Sequence, residues 1–156
     1  MQTLAPTSTS HFKLNVSTEC PTQFVDLTAR ILGLVRDSGV QNGVVNVQSL
    51  HTTTAIVLNE HEPLLLDDFA GVLGRLAPDD CGYRHDQLGV RTVNLTVDER
   101  INGHSHCRAL LLPSNACLNI VDGKVQLGRW QRLFLVELDG PRDRQLSVLV
   151  FGEVMR

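Results

Sequence analysis

Across residues 22–36, the apolar positions Phe24, Leu27, Ile31, Leu34 and Val35 recur at the three-and-four spacing of one helical face. Thr22 is placed to cap that helix, and Ser38-Gly39 to stop it. The pattern then changes period. Residues 44–50 and 52–58 are rich in β-branched side chains and predict two strands. Pro63 suits the first turn of a second helix, with Leu65, Leu66, Phe69, Val72, Leu73 and Leu76 as its apolar face and Pro78 as its end. Residues 77–90, with Asp79-Asp80, Gly82 and Gly89, predict an exposed loop. In the last third, strands at 116–121 and 125–130 flank Asp122-Gly123-Lys124, a hairpin signal because Asp-Gly adopts positive φ at little cost. Strands at 132–138 and 145–150 flank Asp139-Gly140-Pro141. Two main helices among largely antiparallel strands predict an α+β fold.

Composition narrows the function classes. The chain has 156 residues, enough for one domain. Its 14 Lys+Arg nearly balance 17 Asp+Glu, which gives no global case for nucleic acid or an anionic membrane surface. Apolar residues make up 42% and aromatic residues 4%, so the core must be built mainly from Val, Leu, Ile and Ala. Residues 1–10 are polar and read as a flexible N-terminal segment before a single domain at 11–156. They lack a secretory pattern, and no apolar run reaches the ~18–20 residues that span a membrane; the expectation is a soluble cytoplasmic protein. Cys20, Cys81, Cys107 and Cys117 form no Cys-x-x-Cys pair and are expected to be reduced, buried structural thiols. No Gly-x-Gly-x-x-Gly, Walker A or Gly-x-Ser-x-Gly sequence is present, which removes the main support for dinucleotide, P-loop and serine-hydrolase readings.

Six histidines are the surplus class. Three groups carry candidate chemistry: His51-Thr52-Thr53-Thr54 with Asn59-Glu60-His61 beyond it, Tyr83-Arg84-His85-Asp86, and Asn102-Gly103-His104-Ser105-His106. Neutral imidazole is the commonest metal ligand, so a fold that gathers these groups could hold a divalent ion. On a strand His104 and His106 share a face; on a helix they lie about 200° apart and only one enters a given site. The run from Cys107 to Leu112 leaves the helix open as an alternative. The threonines are either β-favouring filler or phosphate holders. Residues 139–144 form either an ordinary turn or an anion clamp, since arginine's planar fork suits phosphate and carboxylate. Trp130 either covers a core edge or subunit contact, or walls a pocket. His11 and His61 read as ordinary surface residues.

The blocks HTTTAIVLNE, YRHD, NGHSHCRALLL, DGKVQLGRWQRLFLVELDGPRDR and VLVFGE, in this order, resemble the YjbQ-like family. That family is associated with a secondary thiamine-phosphate synthase activity. The resemblance implies a compact α+β protein assembled as a homotrimer, with sites near subunit interfaces. It matches His51 and Asn59-Glu60 to one block, His85, His104 and His106 to two others, Gly128, Trp130 and Gln131 to a fourth, and Asp139 to Arg144 to the last. Gly103 and Cys107 depart from the usual residues, and a third threonine follows His51. The expectation is a trimeric enzyme binding a divalent metal (zinc, magnesium or manganese) and a small phosphorylated metabolite. It would join a pyrimidine pyrophosphate to a thiazole phosphate. His85, His104 and His106 are the candidate metal ligands, and His51 a fourth ligand or proton-transfer group. Glu60 is the candidate base or orienting residue. Thr52, Thr53, Asn59, Trp130, Gln131, Arg142 and Arg144 are candidates for substrate contact. The alternatives are a metal-dependent hydrolase or lyase of a phosphorylated metabolite, and a non-catalytic metal- or ligand-binding trimer.

Overall fold

The computed structural model describes residues 5–155. Its elements in chain order are β1 (Thr7–Ser17), β2 (Gln23–Asp26), α1 (Thr28–Ser38), β3 (Val40–Ser49), β4 (Thr54–Glu60), α2 (Pro63–Leu76), a 3-10 turn (Arg84–Asp86), α3 (Gly103–Leu110), β5 (Asn115–Val121), β6 (Lys124–Val125), β7 (Gln131–Glu137) and β8 (Asp143–Val154). The strands form two antiparallel sheets, β1-β8-β3-β5-β6 and β2-β7-β4. This is the α+β architecture that the pattern predicts.

The layers follow from which faces are apolar. The larger sheet turns Val45, Val47, Leu118, Ile120, Leu146, Val148 and Val150 inward, against Leu27, Ile31 and Val35 around α1 and Ile56, Leu133 and Leu135 of the smaller sheet. The other face of the smaller sheet buries Ala55, Phe134 and Val136 with Leu73 of α2. Strand β7 is therefore covered on both faces, which is why Leu133 to Val136 is a continuous apolar run without alternation. At ~1.5–3 kcal/mol for each fully buried aliphatic or aromatic side chain, these two clusters supply the main favourable term in folding.

Several boundaries differ from those predicted. The helix placed at 22–36 begins only at Thr28, and Thr22 does not cap it. Phe24 and Val25 instead pair with Val136 and Leu135, and Asp26 Oδ1 accepts the Thr28 N–H at 2.8 Å. The helical spacing of Phe24 and Leu27 reflects contacts on two different elements. At the other end Gly39, at φ 72°, stops α1 as expected. Residues 7–10 belong to β1 and pair with β8 from Phe151 to Glu153 and at Val150, while residues 1–4 lie outside the described residues. That Thr-Ser repeat has no apolar period to announce a strand; backbone pairing supplies it.

Helix α2 starts at Pro63 as predicted, with the Glu62 carboxylate accepting the Leu64 and Leu65 N–H groups. In the hairpin after β5, Asp122 and Gly123 take φ values of 50° and 72°, the signature of the tight turn predicted there. The following strand is two residues long, where residues 125–130 were expected to form one. Gln131 Oε1 accepts the Gly128 N–H at 2.8 Å, while the Gln131 N–H returns to Gly128 O at 3.0 Å, which folds that segment into a turn. All four cysteines are free, but they are exposed, not buried as expected. Among the described residues no helix is long and apolar enough to cross a membrane.

Candidate functional site

A cavity of about 530 Å³ opens where the β3–β4 turn, the β7–β8 turn, the 3-10 turn, α3 and the irregular segment 91–100 meet. Its foundation is a buried ion pair. Glu137, at the end of β7, is fully buried, and both its oxygens accept from Arg144, at 2.6 Å from Nε and 2.5 Å from Nη2. Thr18 Oγ1 and the Leu138 and Asp139 N–H groups complete its shell. Burial pushes this carboxyl up. The hydrogen bonds, led by Arg144, outweigh burial and hold it below its ordinary 4.5. Arg144 also donates to Thr53 Oγ1 at 3.1 Å, so Arg144 and Thr53 brace the cavity wall with groups already engaged.

His51 sits in the turn between β3 and β4. Its Nε2 accepts the Gln145 N–H at 2.8 Å, which fixes the neutral ring with its proton on Nδ1. Burial first, then the Arg144 guanidinium, press its pKa below 6.5, against a smaller opposing pull from Glu137. The ring therefore offers a donor, Nδ1–H, at neutral pH. A fourth ligand or a proton acceptor would need this tautomer to reverse, leaving two N–H groups facing each other at Gln145.

Helix α3 decides between the two histidine geometries left open by the sequence. Asp86 Oδ1 accepts the Asn102 and Gly103 N–H groups at 3.0 and 2.8 Å, docking the 3-10 turn on the helix start. Ser105 Oγ donates to Leu138 O at 2.5 Å, and the buried Arg108 reaches Ala77 O and Asp79 at 2.9 and 2.6 Å. His106 lines the cavity beside His85, their ring centroids 4.6 Å apart. Burial and the neighbouring His85 lower the His106 pKa. His104 turns away: its Nε2 lies 3.6 Å from Asp79, and it does not line the cavity. The expected ligand trio is thus split by helical geometry, with His85 and His106 together and His104 apart. Among the described residues no three His, Cys, Asp or Glu side chains converge as a metal-ligand group. His85 Nε2 is nevertheless buried without a hydrogen-bond partner, so the imidazole pair fits part of an ion's shell.

Four arginines line the cavity, and three meet carboxylates. Arg91 pairs with Glu99 at 2.7 Å, Arg142 with Asp139 at 2.9 Å, and Arg144 with Glu137. Hydrogen bonds from Arg91, then from Thr96, bring Glu99 down to about 2. Arg100 donates to Asp139 O at 3.1 Å and has no carboxylate partner among the described residues. Thr52 lines the cavity and is exposed.

The remaining predicted residues lie elsewhere. Asn59 and Glu60 end β4 opposite Arg132 and Gln131, while Thr54, at the cavity end, pairs with Glu137. Six strand steps of ~3.3 Å put Glu60 about 20 Å away. Trp130 is 59% exposed beneath Arg129, whose guanidinium carbon is 4.5 Å from the ring centroid. His11 and His61 make surface hydrogen bonds to Ser147 and Asp26. Sequence reasoning missed Arg91, Glu99, Arg100 and Glu137 as site residues, and gave Asn102 and Asp139 no individual role within the groups it singled out. Glu137 left a signal, a single acid directly after the apolar run Leu133 to Val136. Arg91 to Arg100 lie in irregular backbone that periodicity does not address.

The geometry can be set beside known proteins. A family model described as "UPF0047 protein YjbQ-like" matches residues 12–153. The chain belongs to this family. It is 36% identical to a UPF0047 protein of Methanothermobacter thermautotrophicus, over 90% of this chain and 91% of that protein. It is 34% identical to one from Archaeoglobus fulgidus, over 87% and 97%. Among solved structures, a YbjQ-like protein of unknown function from Sulfolobus solfataricus P2 is similar with a TM-score of 0.85 and 32% identity, covering 95% of this chain and 100% of that one. A YjbQ/UPF0047 protein of Clostridium acetobutylicum gives a TM-score of 0.78 at 31% identity, over 89% and 98%. The YjbQ-like fold assigned from the sequence blocks is shared across these structures.

Proposed function

We propose that this YjbQ-like protein is a metal-dependent enzyme that binds a small phosphorylated metabolite in the cavity between the β3–β4 turn and α3. One observation carries the reading. Of the four buried side-chain polar atoms without a partner among the described residues, three belong to cavity-lining residues: His85 Nε2, Asn102 Oδ1 and Arg142 Nε. Leaving such an atom unsatisfied costs ~1–3 kcal/mol, so their clustering marks a site arranged around groups the protein does not contain. The volume is that of a small-molecule site.

Arg142, Arg100, Thr52 and the His51 Nδ1–H are the donors available to phosphate oxygens. Arg144 and Thr53 hold the wall behind them, and the histidine pair takes the other side. A divalent ion, held by His85 and His106, would supply positive charge opposite a departing pyrophosphate. The specific reaction implied by the family resemblance is thiamine-phosphate synthesis. There a C–N bond forms between the pyrimidine methylene and the thiazole nitrogen, while the C–O bond to pyrophosphate breaks. Glu60, Asn59, Trp130 and Gln131 have no part in this cavity within one chain.

Homotrimeric assembly belongs to the same proposal, supported by Leu149 and Phe151, which are 39% and 48% exposed on the outer face of β8. Light scattering at micromolar concentration should read three chain masses; a single chain mass contradicts it.

The test is turnover. Purified protein, a divalent metal and both substrates should give thiamine phosphate and pyrophosphate by mass spectrometry, with His85→Ala and His106→Ala reducing the rate at least tenfold. No product from the wild type would remove the synthase reading and favour a non-catalytic binding protein.

A further inference from the structure

Asp139 joins two of the three unsatisfied cavity residues through a single oxygen. Its Oδ2 accepts a hydrogen bond from Asn102 Nδ2 at 2.9 Å and forms an ion pair with Arg142 Nη2 at 2.9 Å. All three residues line the cavity, and Asn102 and Asp139 are only 6% and 8% exposed. The paired carboxylate accepts but does not donate, so it orients the Asn102 amide: Nδ2 faces Asp139, and Oδ1 is the atom left over. On the Arg142 side the leftover atom is Nε, a donor. One carboxylate oxygen thus fixes an unpaired acceptor on one flank and an unpaired donor on the other.

These two atoms ask for different chemistry. Arg142 Nε suits an anionic oxygen. Asn102 Oδ1 repels one, and is satisfied by an N–H or O–H group or by a cation. We infer that Asn102 and Arg142, aligned by Asp139, form a two-point recognition site for a phosphorylated metabolite that carries an uncharged hydrogen-bond donor beside its phosphate. The inference rests on the phosphate reading of this cavity. Asn102 is a specificity-determining residue in it, and Asp139 a positioning residue.

Three probes of closely similar form separate these parts: 2-hydroxyethyl phosphate, which has the donor, 2-methoxyethyl phosphate, which replaces it by an acceptor, and ethyl phosphate, which has neither. In calorimetric titration the wild type should bind the hydroxyethyl compound about tenfold more tightly than the methoxyethyl one, the worth of one hydrogen bond to a buried acceptor. Asn102→Ala should bring that ratio to about one, whereas Arg142→Ala should weaken binding of all three. A wild-type ratio near one overturns the inference even if Asn102→Ala fails to fold, and so does a ratio that survives that substitution. If ethyl phosphate and the methoxyethyl compound bind but the hydroxyethyl compound gains nothing, the donor subsite falls and the phosphate reading stands. If none of the three binds, both fall.

Discussion

His51 spends one ring nitrogen on its own fold, since Nε2 holds the Gln145 N–H. Protonating the ring would turn that acceptor into a donor facing a donor. Burial and Arg144 press in the same direction, so the folded-state pKa lies below 6.5. His106 is also lowered, by burial and by His85. Between the lowered folded values and the unfolded value near 6.5, the unfolded chain binds more protons, and stability falls as pH drops through that window. Urea denaturation should show a declining free energy of unfolding from pH 7.5 to 5.5. His51→Gln, whose Oε1 can replace the acceptor, should flatten part of that decline. An unchanged slope in this variant would contradict the His51 assignment. Glu137, held below its ordinary 4.5, contributes stability that is lost as pH falls from about that value toward its lowered folded one.

At the scale of elements, the site depends on how closely α3 meets the loop before it. A Cβ built on Gly103 would lie 2.5 Å from Tyr83 Cβ, so this glycine lets the 3-10 turn carry His85 up to His106. Gly103→Ala should cost about 1–3 kcal/mol by overpacking and weaken divalent-metal binding about 10- to 100-fold by displacing His85. Calorimetric metal titration beside a thermal melt checks both; stability lost with metal affinity intact would separate the glycine from the site. The same contact explains what the sequence could convey. Helix α2 and the Asp122-Gly123 hairpin were legible because period, cap and turn residues act locally. The histidines were legible as chemistry but not as geometry: Ser105, Arg108 and Asp86 dock α3 through partners 17 to 33 positions away. Strand β1 was hidden for the related reason that a Thr-Ser run becomes a strand only by pairing with β8.

For the whole molecule, near-neutral composition conceals a local arrangement. The formal net charge is −3, yet the cavity gathers four arginines and pairs three of them with acids. Charge is organised there by Glu137, Asp139 and Glu99, whose pairing with the arginines a net-charge sum does not display. Glu60 and Trp130 share the family's sequence blocks with His51 and Arg142 but lie at the opposite end of the smaller sheet, because a motif fixes order along the chain and not distance in space. The central claim is that His85 and His106, without His104, form the protein's metal-binding contribution to this cavity. Titration of zinc or manganese into untagged protein at pH 7.5, followed by calorimetry, tests it most directly. His85→Ala and His106→Ala should abolish the binding seen in the wild type, and His104→Ala should retain it; binding that survives loss of either His85 or His106, or that vanishes only with His104, contradicts the account.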